Sequence, residues 1–285
     1  MMEEKELKIN GKNLFVKQKG DGEPMIFLHG GPGGSLDYFL PHMESLSKDF
    51  QLIFYDQTGC GRSETVAGHS YSIDDEISNL EEIRKALNLD KVTLFGESWG
   101  SILALSYAAT YPDRIHKLIL TAAIGLTYRD YRAFKENLFR KLGFKKKMLL
   151  GWYSFSSLFS VNASKKLEQL LDPFYVYSVD TLRRKKEILY NKDALKHIGR
   201  ELDQEYNLLP SLKELRSLPI AIAQGSHDVL TPAYIKENVM VHLPNAILLE
   251  VEESGHWTIL EQPGKMVSLT RAFMTAKGTG TPVHV

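Results

Sequence analysis

The chain has 285 residues, 43% of them hydrophobic, and its 35 basic side chains balance 35 acidic ones at a net charge of zero. This length and apolar fraction predict one large α/β domain with an insertion, built around a substantial core. The zero net charge gives no reason to expect nucleic acid or an anionic membrane as a partner. Because Cys60 is the single cysteine and no run of about 18 apolar residues is present, we predict a cytoplasmic protein without a membrane partner.

The first elements of the chain are predicted to be strands. Residues 7–10 and 13–17 form a hairpin that turns at Gly11. Residues 25–28 form a short buried strand, and residues 29–34 after it read His-Gly-Gly-Pro-Gly-Gly. A glycine-rich loop could cradle a phosphate, but the G-x-G-x-x-G pattern and the P-loop lysine are both missing. We interpret it as an oxyanion loop, in which backbone N–H groups approach a developing negative oxygen.

A helix, a strand and a second helix are predicted next. Residues 36–47 are assigned to the first helix and residues 51–55 to the strand, which a turn-rich loop at 56–63 follows. Residues 74–87 form an amphipathic helix, because four apolar side chains recur on one face at helical spacing: Ile77, Leu80, Ile83 and Leu87.

Residues 96–100 carry the most informative motif of the chain, Gly-Glu-Ser-Trp-Gly. An apolar run at 92–95 precedes it, and a run of small residues at 101–109 follows. Strand, G-x-S-x-G and helix in this order predict a nucleophile elbow, a strained turn that holds the Ser98 hydroxyl clear of the sheet. Glycine on both sides removes the Cβ atoms that would collide in so tight a turn.

Two further buried strands are predicted at 219–223 and 246–251. Asp228 and His256 each follow the carboxyl end of one of them, where active sites of open α/β sheets lie. The loop after an earlier strand, at 123–126, contains no carboxylate, so Asp228 is the candidate acid. A last helix and a loose tail complete the chain at residues 262–276 and 277–285.

These residues together predict acyl transfer to water through an acyl-serine. Ser98 would be the nucleophile, His256 the base that takes its proton, and Asp228 the group that orients the imidazole. The backbone N–H groups of Gly31 and Trp99 would stabilise the tetrahedral oxyanion. This chemistry needs no cofactor, and the sequence contains neither an H-E-x-x-H motif nor paired cysteines for a metal.

Residues 127–212 lack the alternation of strands and helices found in residues 1–126 and 213–285. This segment has 17 basic and 10 acidic side chains, a net charge of +7, and many aromatic residues. We predict a helical cap over the active site, with helices at 129–142, 164–171 and 180–190. Its aromatic residues could either line a substrate pocket or pack the cap against the core; among them, Trp152 and Tyr153 are taken as candidates for substrate binding.

The chain resembles the α/β-hydrolase superfamily over nearly its whole length outside the cap. Two motifs are similar to those of the proline iminopeptidase group, the serine peptidases of family S33: His-Gly-Gly-Pro-Gly at residues 29–33, and Asp-Gln-x-Gly-x-Gly-x-Ser at residues 56–63. The resemblance implies an α/β-hydrolase fold with a mostly parallel sheet flanked by helices and a helical cap. It also implies the removal of N-terminal proline or small residues from short peptides.

Members of this group usually hold the free ammonium of the substrate with glutamates, which leaves the substrate class open here. The W-x-x-W-E pattern of proline-specific members is missing from the cap, where the nearest acids are Glu201, Asp203 and Glu205. Glu201 and Glu205 are therefore the candidates for ammonium binding, with a solvated helix face as the other interpretation. A carboxylester or lactone hydrolase needs no such acids and is the alternative, and a receptor that reuses the fold is a third possibility.

Overall fold

Eight strands form one sheet in the computed structural model, which describes residues 2–66, 68, 71–156 and 161–276. The predicted tail at 277–285 lies outside the described residues. The strands occur in the spatial order β1-β2-β4-β3-β5-β6-β7-β8, in which β1, β2 and β4 pair antiparallel and all other neighbours pair parallel. Their bounds are β1 Glu3–Ile9, β2 Lys12–Lys19, β3 Glu23–Leu28, β4 Phe50–Tyr55, β5 Val92–Glu97, β6 Ile115–Thr121, β7 Ile220–Gly225 and β8 Ala246–Val251.

Ten α-helices accompany the sheet in the described part of the chain. Their bounds are α1 Ile73–Ala86, α2 Trp99–Thr110, α3 Tyr128–Lys141, α4 Phe144–Ser156, α5 Val161–Leu171, α6 Lys192–Gln204, α7 Leu212–Leu215, α8 Pro232–Ile235, α9 Thr258–Glu261 and α10 Pro263–Thr275. Short 3₁₀ helices cover Leu36–Tyr38, Glu44–Lys48, Pro112–Arg114, Asp172–Phe174, Val179–Arg184 and Leu209–Ser211, and a π-helical turn covers Lys236–Met240.

The central strands are buried on both faces, as parallel strands covered by helices are. Along β3, Met25 and Phe27 belong to the core on one side of the sheet, and Ile26 and Leu28 belong to the core on the other side. This alternation follows from the two-residue period of a strand. The continuous apolar runs of the sequence therefore predicted the strands correctly, and the predicted α/β-hydrolase fold is confirmed.

The predicted helix at 36–47 is wrong. The structure has two short 3₁₀ helices there, Leu36–Tyr38 and Glu44–Lys48, and Pro41 lies between them. Proline has no N–H to donate to a helical hydrogen bond, and it disfavours helical geometry at the residue before it. Leu36, Phe39 and Leu46 are nevertheless buried in the core. The apolar spacing therefore indicated which side chains are buried, but not one continuous helix.

The described residues of the segment 127–212 are mainly helical, and they contribute no strand to the eight-stranded sheet. Helices α3 and α5 match two of the predicted helices, whereas α4 and α6 were not predicted. The predicted helix at 180–190 is wrong beyond Arg184, where the chain continues without regular structure to Asn191. Lys185 donates to both carboxylate oxygens of Asp172, at 2.8 and 2.7 Å, so a tertiary ion pair fixes the chain here. We keep the name cap for residues 127–212 as a proposed unit.

Loops at the carboxyl ends of the parallel strands position the polar side chains described below. The loops after β3, β5, β7 and β8 all emerge at this one edge of the sheet. None of the helices in the described residues is both long and apolar enough to cross a membrane.

Candidate active site

The turn between β5 and α2 holds Ser98 in a strained backbone conformation. Its φ is +53° and its ψ is −116°, and α2 begins at the next residue. A Cβ atom on Gly96 would lie 2.2 Å from the carbonyl oxygen of Gly100, and one on Gly100 would lie 1.9 Å from that of Leu28. Glycine is therefore required at both positions, as the nucleophile-elbow prediction expects.

The structure brings Ser98, His256 and Asp228 into one hydrogen-bonded chain. The Ser98 Oγ and His256 Nε2 atoms are 2.9 Å apart, and the His256 Nδ1 and Asp228 Oδ1 atoms are 2.8 Å apart. The other carboxylate oxygen of Asp228 accepts a hydrogen bond of 2.8 Å from Gln224 Nε2. The neighbouring His227 is exposed and packs against the Tyr177 ring, away from this chain.

The environment of His256 sets both its protonation and its orientation. Burial disfavours the charged imidazolium, but the Asp228 carboxylate outweighs burial and raises the pKa of His256 above its ordinary value. The backbone N–H of His256 donates to the carbonyl of Tyr175 at 2.7 Å. The imidazole lies near the rings of Phe134 and Tyr175, with centroid separations of 5.0 and 5.5 Å. These contacts join the histidine loop to the cap.

Glu261 adds a second tie between this loop and the cap. One of its carboxylate oxygens accepts from the backbone N–H of Gly255, at 2.6 Å. The other accepts from the backbone N–H groups of Tyr177 and Ser178, at 2.8 and 3.0 Å. A single buried carboxylate thus fixes the chain directly before His256 to a cap segment.

The glycine-rich loop after β3 is held by Gln57, whose role the sequence analysis did not derive. The backbone N–H of Gln57 donates to His29 Nε2 at 3.1 Å, which requires the proton of His29 to reside on Nδ1. The side-chain amide of Gln57 donates to the His29 carbonyl and accepts from Trp99 Nε1, at 3.1 and 2.8 Å. Gln57 therefore connects the loop that contains Gly31 to the first residue of α2.

The Asp56 side chain fixes the far end of the same loop. Its Oδ1 accepts from the Ser35 hydroxyl and the Leu36 N–H, at 2.9 and 2.8 Å, and its Oδ2 accepts from the Arg62 N–H at 2.9 Å. Gly61 packs so closely that a Cβ atom there would lie 2.3 Å from the carboxylate. The motif at 56–63 is therefore a brace for the loop.

Gly31, the first predicted oxyanion donor, lies in the loop after β3, and Trp99, the second, directly follows Ser98 at the beginning of α2. Gly31 is exposed and has a φ of +128°, which favours glycine. Among the described residues, neither backbone N–H donates to an acceptor. Both N–H groups can therefore donate to a ligand.

A cavity of about 320 Å³ opens directly over Ser98 and His256. Its wall is mostly apolar and aromatic, and it comes from both the core and the cap. The large side chains that contribute are Tyr38, Phe134, Tyr175, Tyr190, Trp257 and Leu260. A pocket of this size accepts a small ligand with few polar groups. In the described ranges no cluster of three or more His, Cys, Asp and Glu side chains could hold a metal ion.

The four cap residues predicted to bind substrate lie away from this cavity. The Glu201 carboxylate accepts from the N–H of Ile73 at 2.9 Å, at the beginning of α1, and Glu205 is exposed. Trp152 is 65% exposed, and Tyr153 lies beneath Lys166. None of them lines the pocket, so the pocket does not support this prediction. The acids and aromatic residues were identified by composition alone, which does not specify the direction of a side chain.

Glu97 is the pocket residue that the sequence analysis missed. It is the variable residue before Ser98 in the elbow motif, it is 4% exposed, and it lines the cavity. Burial raises its pKa to about 7; the nearby His256 lowers the pKa and the Asp228 carboxylate raises it further. The signal that could have found it is its position, since a side chain beside the nucleophile in a buried turn has few directions open to it.

Comparison with known proteins identifies the family. A sequence model of the alpha/beta hydrolase fold matches residues 23–263. The chain belongs to this family. It is an enzyme of the hydrolase class, and it resembles a proline iminopeptidase of Saccharolobus solfataricus, with 28% identity over 96% of this chain and 92% of that protein.

Two other similarities show the range of the family. A cis-3-alkyl-4-alkyloxetan-2-one decarboxylase of Shewanella oneidensis is 26% identical, over 95% of this chain and 87% of that protein. The solved structure of an alpha/beta fold family hydrolase from Bacillus anthracis str. Sterne superimposes with a TM-score of 0.80 at 21% identity, covering 96% of this chain and 99% of that one. The structural similarity supports the fold alone.

Proposed function

We propose that the protein is a cytoplasmic serine hydrolase that acts through an acyl-serine, and that it releases N-terminal proline or small residues from short peptides. The observation that carries the serine chemistry is the hydrogen-bonded chain from Ser98 through His256 to Asp228 beneath an open pocket. A serine hydroxyl is a weak nucleophile until an adjacent base removes its proton. The single cysteine, Cys60, is buried, and it suits a reducing compartment.

The proposed reaction has two halves. Ser98 Oγ attacks the scissile carbonyl carbon as its proton moves to His256 Nε2, and the oxyanion forms near the N–H groups of Gly31 and Trp99. Collapse of this intermediate breaks the carbonyl–nitrogen bond, and His256 gives the proton to the leaving amine. Water then attacks the acyl-serine with His256 again as the base, which releases the acid and restores the Ser98 hydroxyl. Asp228 stabilises the imidazolium in both halves.

The aminopeptidase part of the proposal is supported by the similarity to proline iminopeptidases over nearly the whole chain. The pocket volume suits one small residue close to Ser98, because the wall leaves only about 320 Å³. The cap contributes part of that wall through α3 and α5 and through the irregular segment before α6. We therefore propose that residues 127–212 contribute to substrate selection through this wall and that residues 1–126 and 213–285 carry the chemistry.

The second candidate is a carboxylester or lactone hydrolase on a small apolar substrate. The mostly apolar wall of the pocket favours it, as does the similarity to a protein named for a four-membered lactone ring. Such a substrate would use Ser98, His256 and the loop of Gly31 in the same way. The two candidates differ in the scissile bond, which is an amide in one and an ester in the other, and in whether the substrate carries a free amine.

A substrate panel tests both candidates. Prolyl and alanyl arylamides are compared with short-chain aryl esters, with Ser98→Ala as the control for contaminating activity. We expect turnover of the arylamides by the wild-type enzyme, and labelling of Ser98 by a serine-directed fluorophosphonate. Ester turnover without arylamide turnover would favour the second candidate. Labelling at another residue would overturn the proposed role of Ser98.

A further inference from the structure

Glu97 differs from most of the other buried acids of the protein in how its charge is compensated; Glu76 also has a carboxylate oxygen without a hydrogen-bond partner among the described residues, but it does not border the cavity. Glu81 pairs with Arg84 at 2.7 Å, Asp172 pairs with Lys185 at 2.7 Å, and Glu261 accepts several backbone N–H groups. Within the described ranges no Lys or Arg side chain forms an ion pair with Glu97. A buried carboxylate without a counter-charge is costly, and pairing with an incoming cation would offset that cost.

The position of this carboxylate relative to the loop of Gly31 is well defined. A Cβ atom built on Gly30 would lie 2.1 Å from Glu97 Oε2, so the carboxylate packs directly on the first glycine of the loop. Backbone hydrogen bonding from Gly30 partly offsets the cost of burial. The carboxylate also borders the cavity, and Ser98 and His256 border the same cavity.

An aminoacyl substrate would bring a cation to this place. In such a substrate the amino nitrogen is two bonds from the scissile carbonyl carbon, about 2.5 Å away. When Ser98 Oγ attacks that carbon and the oxygen lies at Gly31, the amine must lie within a few ångströms of the loop. Glu97 is the acid beside this loop that borders the cavity, whereas the other acids of the wall lie on the short helix of Asp37 or in the cap.

We propose that Glu97 is the subsite that receives the positively charged α-amino group of the substrate. The inference rests on the proposed serine chemistry and assigns its substrate class: acyl donors with a free amine next to the scissile carbonyl. Pairing with the ammonium compensates the buried charge and fixes the distance between the substrate amine and Ser98. The Tyr38 hydroxyl, on the same wall, is buried with no hydrogen-bond partner among the described residues, so a further polar atom is left for the ligand.

The test compares two substrates that differ only in the amine. Alanyl 4-nitroanilide carries the α-amino group and propionyl 4-nitroanilide lacks it, and 4-nitrophenyl propionate is a more reactive reference without an amine. In Glu97→Gln, which keeps the shape but removes the charge, we expect kcat/KM for the alanyl substrate to fall by about 10- to 150-fold, the range for a lost hydrogen bond to a charged group. Both propionyl substrates should stay within about twofold of wild type on the same reasoning.

Two further variants control for folding and for general electrostatics. Glu168→Gln removes a charge from the cap side of the same cavity, where Lys185 lies 3.9 Å away, and should leave the preference for the amine unchanged. Glu97→Asp keeps the charge on a shorter side chain and should keep part of the preference. If Glu97→Gln fails to fold, Glu97→Asp tests the ammonium subsite in its place.

The outcomes separate the inference from the function on which it rests. If Glu97→Gln slows the alanyl and propionyl substrates equally, Glu97 supports the fold or His256, and the ammonium subsite is wrong while the serine chemistry stands. If Glu168→Gln abolishes the preference and Glu97→Gln does not, the subsite lies in the cap. If the wild-type enzyme prefers propionyl 4-nitroanilide to alanyl 4-nitroanilide, the aminopeptidase proposal itself is overturned.

Discussion

The two halves of the pocket wall differ in how their polar groups are held. On the core side, Ser98, His256 and the loop of Gly31 are fixed by short hydrogen bonds from buried partners such as Gln57. On the cap side, Arg184 and Lys186 are exposed and have no carboxylate partner within the described ranges. The core side is therefore preorganised for one reaction, and the cap side presents charges that only a ligand or water can satisfy.

This difference predicts that substitutions of Ser98, Asp228 and Gln57 on the core side change the rate for every substrate, whereas substitution of the exposed cap cations changes the choice among substrates. The largest effect is expected for Ser98→Ala. Without the nucleophile, kcat should fall by about 10⁴-fold or more for arylamides and esters alike. Steady-state kinetics on both substrate types measures this, with circular dichroism to show an unchanged fold. Near-normal turnover in this variant would contradict the role of Ser98 as the nucleophile.

The second prediction concerns Asp228. Asp228→Asn keeps the shape but removes the charge that stabilises the imidazolium and selects its tautomer, so kcat should fall by about 10⁴-fold. The matched variant is His227→Asn, because His227 is adjacent in sequence but exposed and turned away. Its kcat should remain close to wild type. A similar loss in both variants would mean that the loop, and not the carboxylate, is what matters.

The third prediction is a pH profile. His256 must be neutral to take the proton from Ser98, so kcat/KM falls as the pH decreases through the pKa of His256. Asp228 raises this pKa, so the midpoint of the acid limb should lie above the ordinary histidine value of about 6.5. Residual activity of Asp228→Asn should show a midpoint shifted to lower pH. An acid limb that stays in place in this variant would contradict the assigned coupling.

The fourth prediction concerns Gln57, which connects the loop of Gly31 to α2. Gln57→Leu removes the side-chain bonds to His29 and Trp99 and leaves buried polar groups unpaired, at a cost of about 1–3 kcal/mol each. We expect kcat to fall by about tenfold for all substrates, because the loop of Gly31 loses its fixed position. Thermal denaturation should show a lower Tm as well. If Gln57→Leu changed the substrate preference but not kcat, Gln57 would act in substrate selection and not in positioning the loop of Gly31.

The sequence predicted the core side far better than the cap side, and the reason is physical. A turn such as that of Ser98 needs glycine at fixed spacings, and a buried strand needs an apolar run, so local chemistry determines both. The directions of Glu201 and Trp152 depend on how α6 and α4 pack against other elements, which no local pattern records. Glu97 was missed for the same reason: its identity is visible in the motif, but its lack of a cationic partner is a property of the fold.

The smallest effect is expected from the cations of the cap side. Arg184 and Lys186 border the cavity from the segment before α6, whereas Glu97 borders it from the end of β5. A short peptide bound by its amine would extend its C-terminal carboxylate in the direction of the cap. Because exposed pairs contribute about 0.2–1 kcal/mol, Lys186→Gln should raise KM for a dipeptide by only about 1.5- to fivefold and leave its C-terminal amide unaffected. The effect should shrink in high salt, which screens exposed charges.

Lys196→Gln is the control, because Lys196 is an exposed cap cation that does not border the cavity. Equal effects of the two variants, or equal effects on the dipeptide and its amide, would reduce the role of Lys186 to the general positive charge of the cap.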